Sequence, residues 1–501
     1  MHIGICSMGG GSGTAGRSLC ATTVFPYQLE SANTNYVRNY MKEFVVAANA
    51  NYSSVRLTYP YWAATAASGD QNPTVAAVLS ARIIYNNTSY PVTWNGGYPT
   101  ISMDAGDTPQ SDPVAGLTLT ALSRFKVVTR LLGSAGSYQY PGSQVTQAAF
   151  GEFSVFGTDT NVDYSTGGLG IGAAATATVS GGNITALTRT AAGTGYTATA
   201  YVYAIEVGPD GVTYSKQIGT VTQSGGGITT SFTITSGTPP AGLSAWVNPT
   251  INIVYGVTGL SPSSAVRCWS PCAITGLPDR NLKCKGLAIV GDSIGRGNGQ
   301  ALNADYWQNQ GFYETGVANR CGVINFAIGS AREYNFDDLL SSHSKLIPQI
   351  ALLKEYCSHA LNQFGSNDMN DGKTSAEVQT STNLVNSFLR GLGYLTTVAT
   401  VIPRTTSSDS WVTTGNQTAA AGKFDTAGAR GLYNGLIRAG TIAVDWPYVD
   451  LDMLIRDSVS VDAWRCDGGV AFTTDGVHDS YVSRGFVAMS DTFKNYFSVL
   501  A

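Results

Sequence analysis

Charged side chains are scarce in this sequence: Asp, Glu, Lys and Arg make up 12% of its 501 residues, about half the share usual in globular proteins. The 29 basic and 33 acidic residues leave a formal charge of −4, so nothing invites nucleic acid or an anionic membrane surface. No apolar run approaches the roughly 18 residues of a membrane-spanning helix. The Gly/Ser-rich stretch 1–22 lacks the basic-then-apolar pattern of a secretory signal and is expected to be a flexible N-terminus. Metal-ligand spacing is missing too. Cys268 and Cys272 lie four apart in RCWSPC and Cys284 follows, but no second close Cys or His pair completes a zinc site. No metal is expected. The eight cysteines permit disulfides whose pairing the sequence leaves open.

Glycine (58) and tyrosine (26) are plentiful instead, a composition that suits β-rich extracellular or virion-surface proteins. The length fits two or three domains. From about 23 to 284, short apolar or alternating stretches such as SVRLTYPYW (54–62) and RFKVVTRLL (124–132) are broken by Gly, Pro, Asn and Asp. Period-two alternation with turn residues every 8 to 12 positions predicts an all-β sandwich, jelly-roll-like, with one helical stretch over 33–48. Within it, residues 165–250 are nearly uncharged and Gly/Thr/Ala-rich, which predicts a small all-β insertion. The phrase SGGNITALTRTAAGTGYT (180–197) resembles a Gly–Tyr β module of bacteriophage tail and other surface proteins.

From about 285 the pattern changes. Strands are expected at 285–290, 322–327, 359–364 and 395–402, with helices at 305–320, 336–356, 376–391, 426–439 and 480–497. Strands alternating with helices predict an α/β domain over 285–501 with a parallel sheet covered on both faces, its reactive loops at the carboxyl ends of the strands.

Short motifs fall at those ends: Gly291-Asp292-Ser293-Ile294, Gly329, Gly365-Ser366-Asn367-Asp368 and Asp475-Gly476-Val477-His478. A serine hydroxyl is a poor nucleophile until a nearby base takes its proton, and a carboxylate must hold that base in the right tautomer. Ser293, His478 and Asp475 are those three residue types, and the Ser293 N–H, the Gly329 N–H and the Asn367 amide are candidate oxyanion donors. Of the four histidines, His2 lies at the terminus, and His343 and His359 lie in or beside a helical stretch and a buried strand. His478 alone follows an acid by three residues. Asp292 and Asp368 are expected to brace loops by accepting backbone N–H bonds. Trp307, Tyr313, Tyr334, Trp411 and Trp464 are candidate stacking platforms for a sugar ring, and Arg296, in GRGNG, is a candidate substrate contact.

These blocks, in this order, resemble the SGNH/GDSL hydrolase family, with Ile294 where many members have Leu. The resemblance implies a three-layer α/β/α fold, a Ser293–His478–Asp475 triad, an oxyanion hole from Ser293, Gly329 and Asn367, and no cofactor. It extends upstream, where SVRLTYPYW and YPVTWNGGYPTISMDAGDTPQSDPVAGLTL (90–119) resemble the β-sandwich of a two-domain branch of secreted members. The expected activity is hydrolysis of short carboxylic esters, foremost O-acetyl groups on a carbohydrate. The alternatives are a lipid or general short-chain esterase, and a glycan-binding surface or phage-tail module that keeps the hydrolase fold as a scaffold. The expected partner is a small-molecule or polysaccharide ester; Arg296, Trp307 and Trp411 are the candidate substrate contacts.

Overall fold

The computed structural model describes the chain apart from residues 1–15, 27, 30–36, 66–68, 134–138, 143, 146–151, 158–163, 166–168, 210–212, 256–266, 283, 297–320, 337–344, 468–469 and 480–501. The helices expected at 305–320 and 480–497, together with His2, His343, Trp307 and Tyr313, lie outside the described residues.

Two antiparallel sheets close on one core in the N-terminal half. One runs Ile101–Met103, Ala77–Tyr85, Arg124–Gly133, Val37–Val45, Phe153–Gly157, with Thr88–Pro91 turned back onto Ala77–Tyr85. The other runs Ser18–Leu19, Ala273–Pro278, Tyr52–Thr58, Thr118–Leu119. Alternate side chains from both, among them Phe44, Leu57, Ile83, Val127 and Ile274, bury each other, as period-two strands with one apolar face require. The helix expected over 33–48 is not there. Val37–Val45 is a strand paired on both sides, with Arg124–Gly133 and Phe153–Gly157. Tertiary pairing overrides its helical spacing because its charged residues find partners inside: Lys42 binds the buried Glu152 at 2.8 Å and Glu43 binds Arg124.

Within the Gly/Thr-rich stretch, Ile171–Ser180 and Asn183–Thr194 form a hairpin, and Gly227–Ile234, Thr213–Ser224, Ala200–Val207 and Thr250–Tyr255 form a four-stranded antiparallel sheet. They enclose their own core around Ile184, Val202, Ile218 and Trp246.

The C-terminal half is built on a parallel sheet in the order Thr23–Val24, Val323–Asn325, Leu287–Gly291, His359–Gln363, Leu395–Val398. The boundary expected at 284/285 is crossed here, since Thr23 and Val24 pair with Ile324 and Asn325 as an edge strand. Side chains alternate across the sheet. Ala288, Val290, Ile324 and Ala360 face Leu346–Leu353 and Ser375–Gly391, while Leu287, Ile289, Val323 and Leu361 face Leu451, Ile455 and Trp464. The helix expected over 336–356 has its described α-helical turns only at Leu346–Leu353. Pro348 lies in their first turn, where its missing N–H costs nothing. Ser375–Gly391 begins at a capping box in which Thr374 and Glu377 satisfy each other's backbone N–H groups.

Candidate active site

The nucleophile candidate follows the central strand. Gly291 is required there, since a Cβ would meet the Gln363 carbonyl oxygen of the neighbouring strand at 2.5 Å. The chain then turns sharply: the buried Asp292 carboxylate accepts the Ile294 N–H at 2.8 Å, and the Asp292 carbonyl accepts the Arg296 N–H at 3.1 Å. Ser293 is left half-buried at the tip of this turn.

The acid and base candidates share a loop that closes on itself. Asp475 Oδ1 accepts the backbone N–H groups of Val477 and His478, both at 2.8 Å, while Oδ2 is 2.7 Å from His478 Nδ1. The three-residue offset thus has a physical reason: an Asx turn brings the imidazole over its own carboxylate. Gly476 sits inside that turn at φ +73°. Its carbonyl accepts from the Thr405 N–H at 3.0 Å and from Trp464 Nε1 at 3.1 Å, which fastens the loop to the body of the domain.

The two turns meet at the sheet edge. His478 Nε2 lies 2.8 Å from Ser293 Oγ, 185 residues away in sequence. Half-burial alone would raise the Asp475 carboxyl, but bonds from the His478 ring and from the His478 and Val477 N–H groups outweigh it and hold the carboxyl well below the usual range. Asp475 therefore stays ionised, as a group that orients imidazole and stabilises its cation must.

The third side is formed by two stapled segments. The loop after Val323–Asn325 carries Gly329, and the short helix Ser366–Asn370 carries Asn367. Asn367 Nδ2 donates to the Ala331 carbonyl at 3.1 Å, using one of its two amide protons. Asp368 accepts the N–H groups of Glu333 at 3.1 Å and Tyr334 at 2.8 Å. Among the described residues, neither the Ser293 N–H nor the Gly329 N–H has an acceptor. The positive φ in this loop falls on Ser330 (+65°), not on Gly329. Gly329 instead makes room: a Cβ there would stand 2.7 Å from Arg296 Nη1.

Among the aromatic candidates, Trp411 is half-buried with its ring against Gly476, beside the acid–base loop. Trp464 is wholly buried and supports the loop from below, so it is core and not a sugar platform. Tyr334 is tied to Asp371 at 3.0 Å with Lys373 over its ring. His359 is buried in its strand, with Nδ1 2.8 Å from Ser358 Oγ. Cys20, Cys272, Cys284, Cys321 and Cys357 are buried free thiols, and the Cys284 and Cys321 sulfurs lie 2.9 Å apart. Sequence reasoning missed Thr405, Thr473 and Glu333. Thr405 through its N–H and Thr473 through its hydroxyl bind the main chain of the 475–478 loop, contacts that leave no pattern in the sequence. Glu333 carried one signal, an acid four residues beyond Gly329 in a chain poor in charge.

No family model and no curated protein matches this sequence. Solved structures that are similar to it include a member of the lipolytic protein G-D-S-L family from Veillonella parvula, at 16% identity over 42% of this chain and 98% of that one, TM-score 0.30. A GDSL-like lipase from Bacteroides thetaiotaomicron aligns at 12% identity over 43% of this chain and 89% of its own, TM-score 0.28. An acetyl xylan esterase aligns at 15% identity over 41% of this chain and 97% of its own, TM-score 0.28.

Proposed function

We propose that this chain is a serine esterase that hydrolyses short carboxylic esters, with O-acetyl groups on a carbohydrate as its substrate class. The observation that carries the reading is the continuous relay from Ser293 Oγ through His478 (2.8 Å) to Asp475 (2.7 Å). A glycan-binding scaffold has no use for that alignment.

In this reading Ser293 Oγ attacks the ester carbonyl as His478 Nε2 takes its proton, and Asp475 holds the Nδ1–H tautomer and stabilises the imidazolium. The Ser293 N–H, the Gly329 N–H and the second amide proton of Asn367 receive the oxyanion. His478 then protonates the leaving alkoxide. Water, deprotonated by the same imidazole, attacks the acyl-enzyme and frees the carboxylic acid. The cycle as written uses no metal or cofactor.

One feature supports a sugar as the alcohol. Trp411 and Arg296 flank the site as a flat apolar face and a guanidinium, the pair of surfaces that suits a pyranose with its hydroxyls. The test is release of p-nitrophenol from its acetate by the wild type and by Ser293→Ala. Loss of turnover in the variant is expected; retention would overturn the assignment.

A further inference from the structure

Glu333 has no part in the relay, yet it is wholly buried behind the loop that carries Gly329. Its Oε1 accepts from Asn362 Nδ2 at 2.7 Å, and its Oε2 lies 2.8 Å from Thr382 Oγ1. Thr382 Oγ1 has two other oxygen neighbours: the Val378 carbonyl at 2.8 Å and the Tyr433 hydroxyl at 2.7 Å. Three separate two-centre hydrogen bonds at these distances need three protons. The threonine brings one, the tyrosine a second, and a carbonyl has none to give. The third has a single remaining source, Glu333 itself.

We propose that Glu333 is a positioning residue that acts as a neutral carboxylic acid, its own proton donated to Thr382, and that this proton holds the Gly329 loop in register with Asn367. The role in catalysis rests on the esterase reading above; the protonation does not.

The surroundings favour the neutral form from every side. Asp368, on the short helix 366–370, grips the Glu333 N–H and is the nearest acid; Asp292 approaches from the nucleophile turn. Asn362 comes from the central sheet, Thr382 from the helix 375–391 and Tyr433 from the helix 429–438, and none of them is a cation. Among the described residues no Lys, Arg or His forms an ion pair with Glu333. Burial and the Asp368 charge push the Glu333 carboxyl up to about 8. Ionising it would remove one of the three protons and place a second charge beside Asp368, with the Glu333 and Tyr334 N–H groups as the shared hinge. The loop bearing Gly329 would then loosen from the segment bearing Asn367.

The experiment compares wild type with Glu333→Gln and Glu333→Ala by thermal unfolding and by kcat and KM on p-nitrophenyl acetate from pH 6 to 9.5. A glutamine reproduces the neutral acid, with an oxygen for Asn362 and an N–H for Thr382. Glu333→Gln is therefore expected to fold, to keep kcat within about threefold at pH 7, and to show a smaller fall in Tm and in kcat than wild type as pH rises through about 8. Glu333→Ala is expected to lose both stability and kcat at every pH. If Glu333→Gln fails to fold, or its Tm falls as steeply as that of wild type as pH rises through about 8, the proposal is overturned whatever the activity shows. A chain whose Ser293→Ala variant stays active, with the Tm pattern as expected, would overturn the esterase reading and leave the neutral acid standing.

Discussion

The Thr473 hydroxyl donates to the carbonyl of His478 at 2.7 Å and accepts the Gly476 N–H at 2.9 Å. One buried hydroxyl thus closes the loop that presents both acid and base, and an isolated antiparallel bridge between Thr473 and Asp479 continues the closure. The imidazole is aimed by its own chain before any substrate arrives.

Thr473→Val keeps the volume and removes the hydroxyl. It leaves the Gly476 N–H without its acceptor, at an expected cost of about 1–2 kcal/mol in thermal unfolding. Because His478 loses its brace, kcat is expected to fall roughly tenfold or more with little change in KM. Unchanged kcat would show that the loop is aimed by other contacts.

Gly476 and Gly329 are expected to respond differently to alanine. A Cβ at Gly476 meets the Thr405 carbonyl at 2.0 Å, and the residue stands at φ +73°. Gly476→Ala therefore strains backbone against backbone, at an expected cost of about 1–3 kcal/mol and with most activity lost. At Gly329 the new methyl meets the far end of Arg296, which can swing aside. Gly329→Ala is expected to keep its Tm and to change KM, readable by calorimetry and steady-state kinetics.

Asp475 is held ionised well below the usual carboxylate range, so it should add no step of its own to the acid side of a pH–rate profile. Asp475→Asn is expected to lower kcat by about 10³–10⁴, with KM little changed. A loss of less than tenfold in Asp475→Asn would contradict this.

Burial pushes the Asp292 carboxyl up to about 7. The folded chain then holds a proton that the unfolded chain has released, so this contribution to stability is complete below the ordinary carboxylate range and is lost as pH rises through about 7. Asp292→Asn keeps an acceptor for the Ile294 N–H. Its Tm is expected to decline less than that of wild type between pH 5 and 8, as a differential scan would show.

Trp411→Ala removes the flat face beside the acid–base loop. KM for an acetylated sugar should rise roughly tenfold, while p-nitrophenyl acetate, which has no sugar to stack, should be turned over almost as before. Equal effects on both would place Trp411 in the support of the loop instead.

Much of the site was legible in the sequence because its chemistry depends on local turns. Gly291-Asp292-Ser293 and Asp475-Gly476-Val477-His478 each encode their own geometry through a glycine and an aspartate that caps backbone N–H groups. The strand Leu287–Gly291 was legible because it is a short apolar run ending in such a turn. What was not legible depends on distant partners. Val37–Val45 has helical spacing, but becomes a strand because two neighbours offer pairing and Glu152 neutralises Lys42. The edge strand Thr23–Val24 joins a sheet 300 residues downstream, for which two residues carry no pattern. Trp464 reads as a surface aromatic until its neighbours are known.

The central claim is that Ser293 becomes a covalent nucleophile by passing its proton to His478. A fluorophosphonate, which traps only activated serines, tests it by intact mass and peptide mapping. The account predicts one adduct per chain, on Ser293, absent in Ser293→Ala and formed far more slowly in His478→Ala. An unlabelled wild type, or an adduct on another residue, would contradict it.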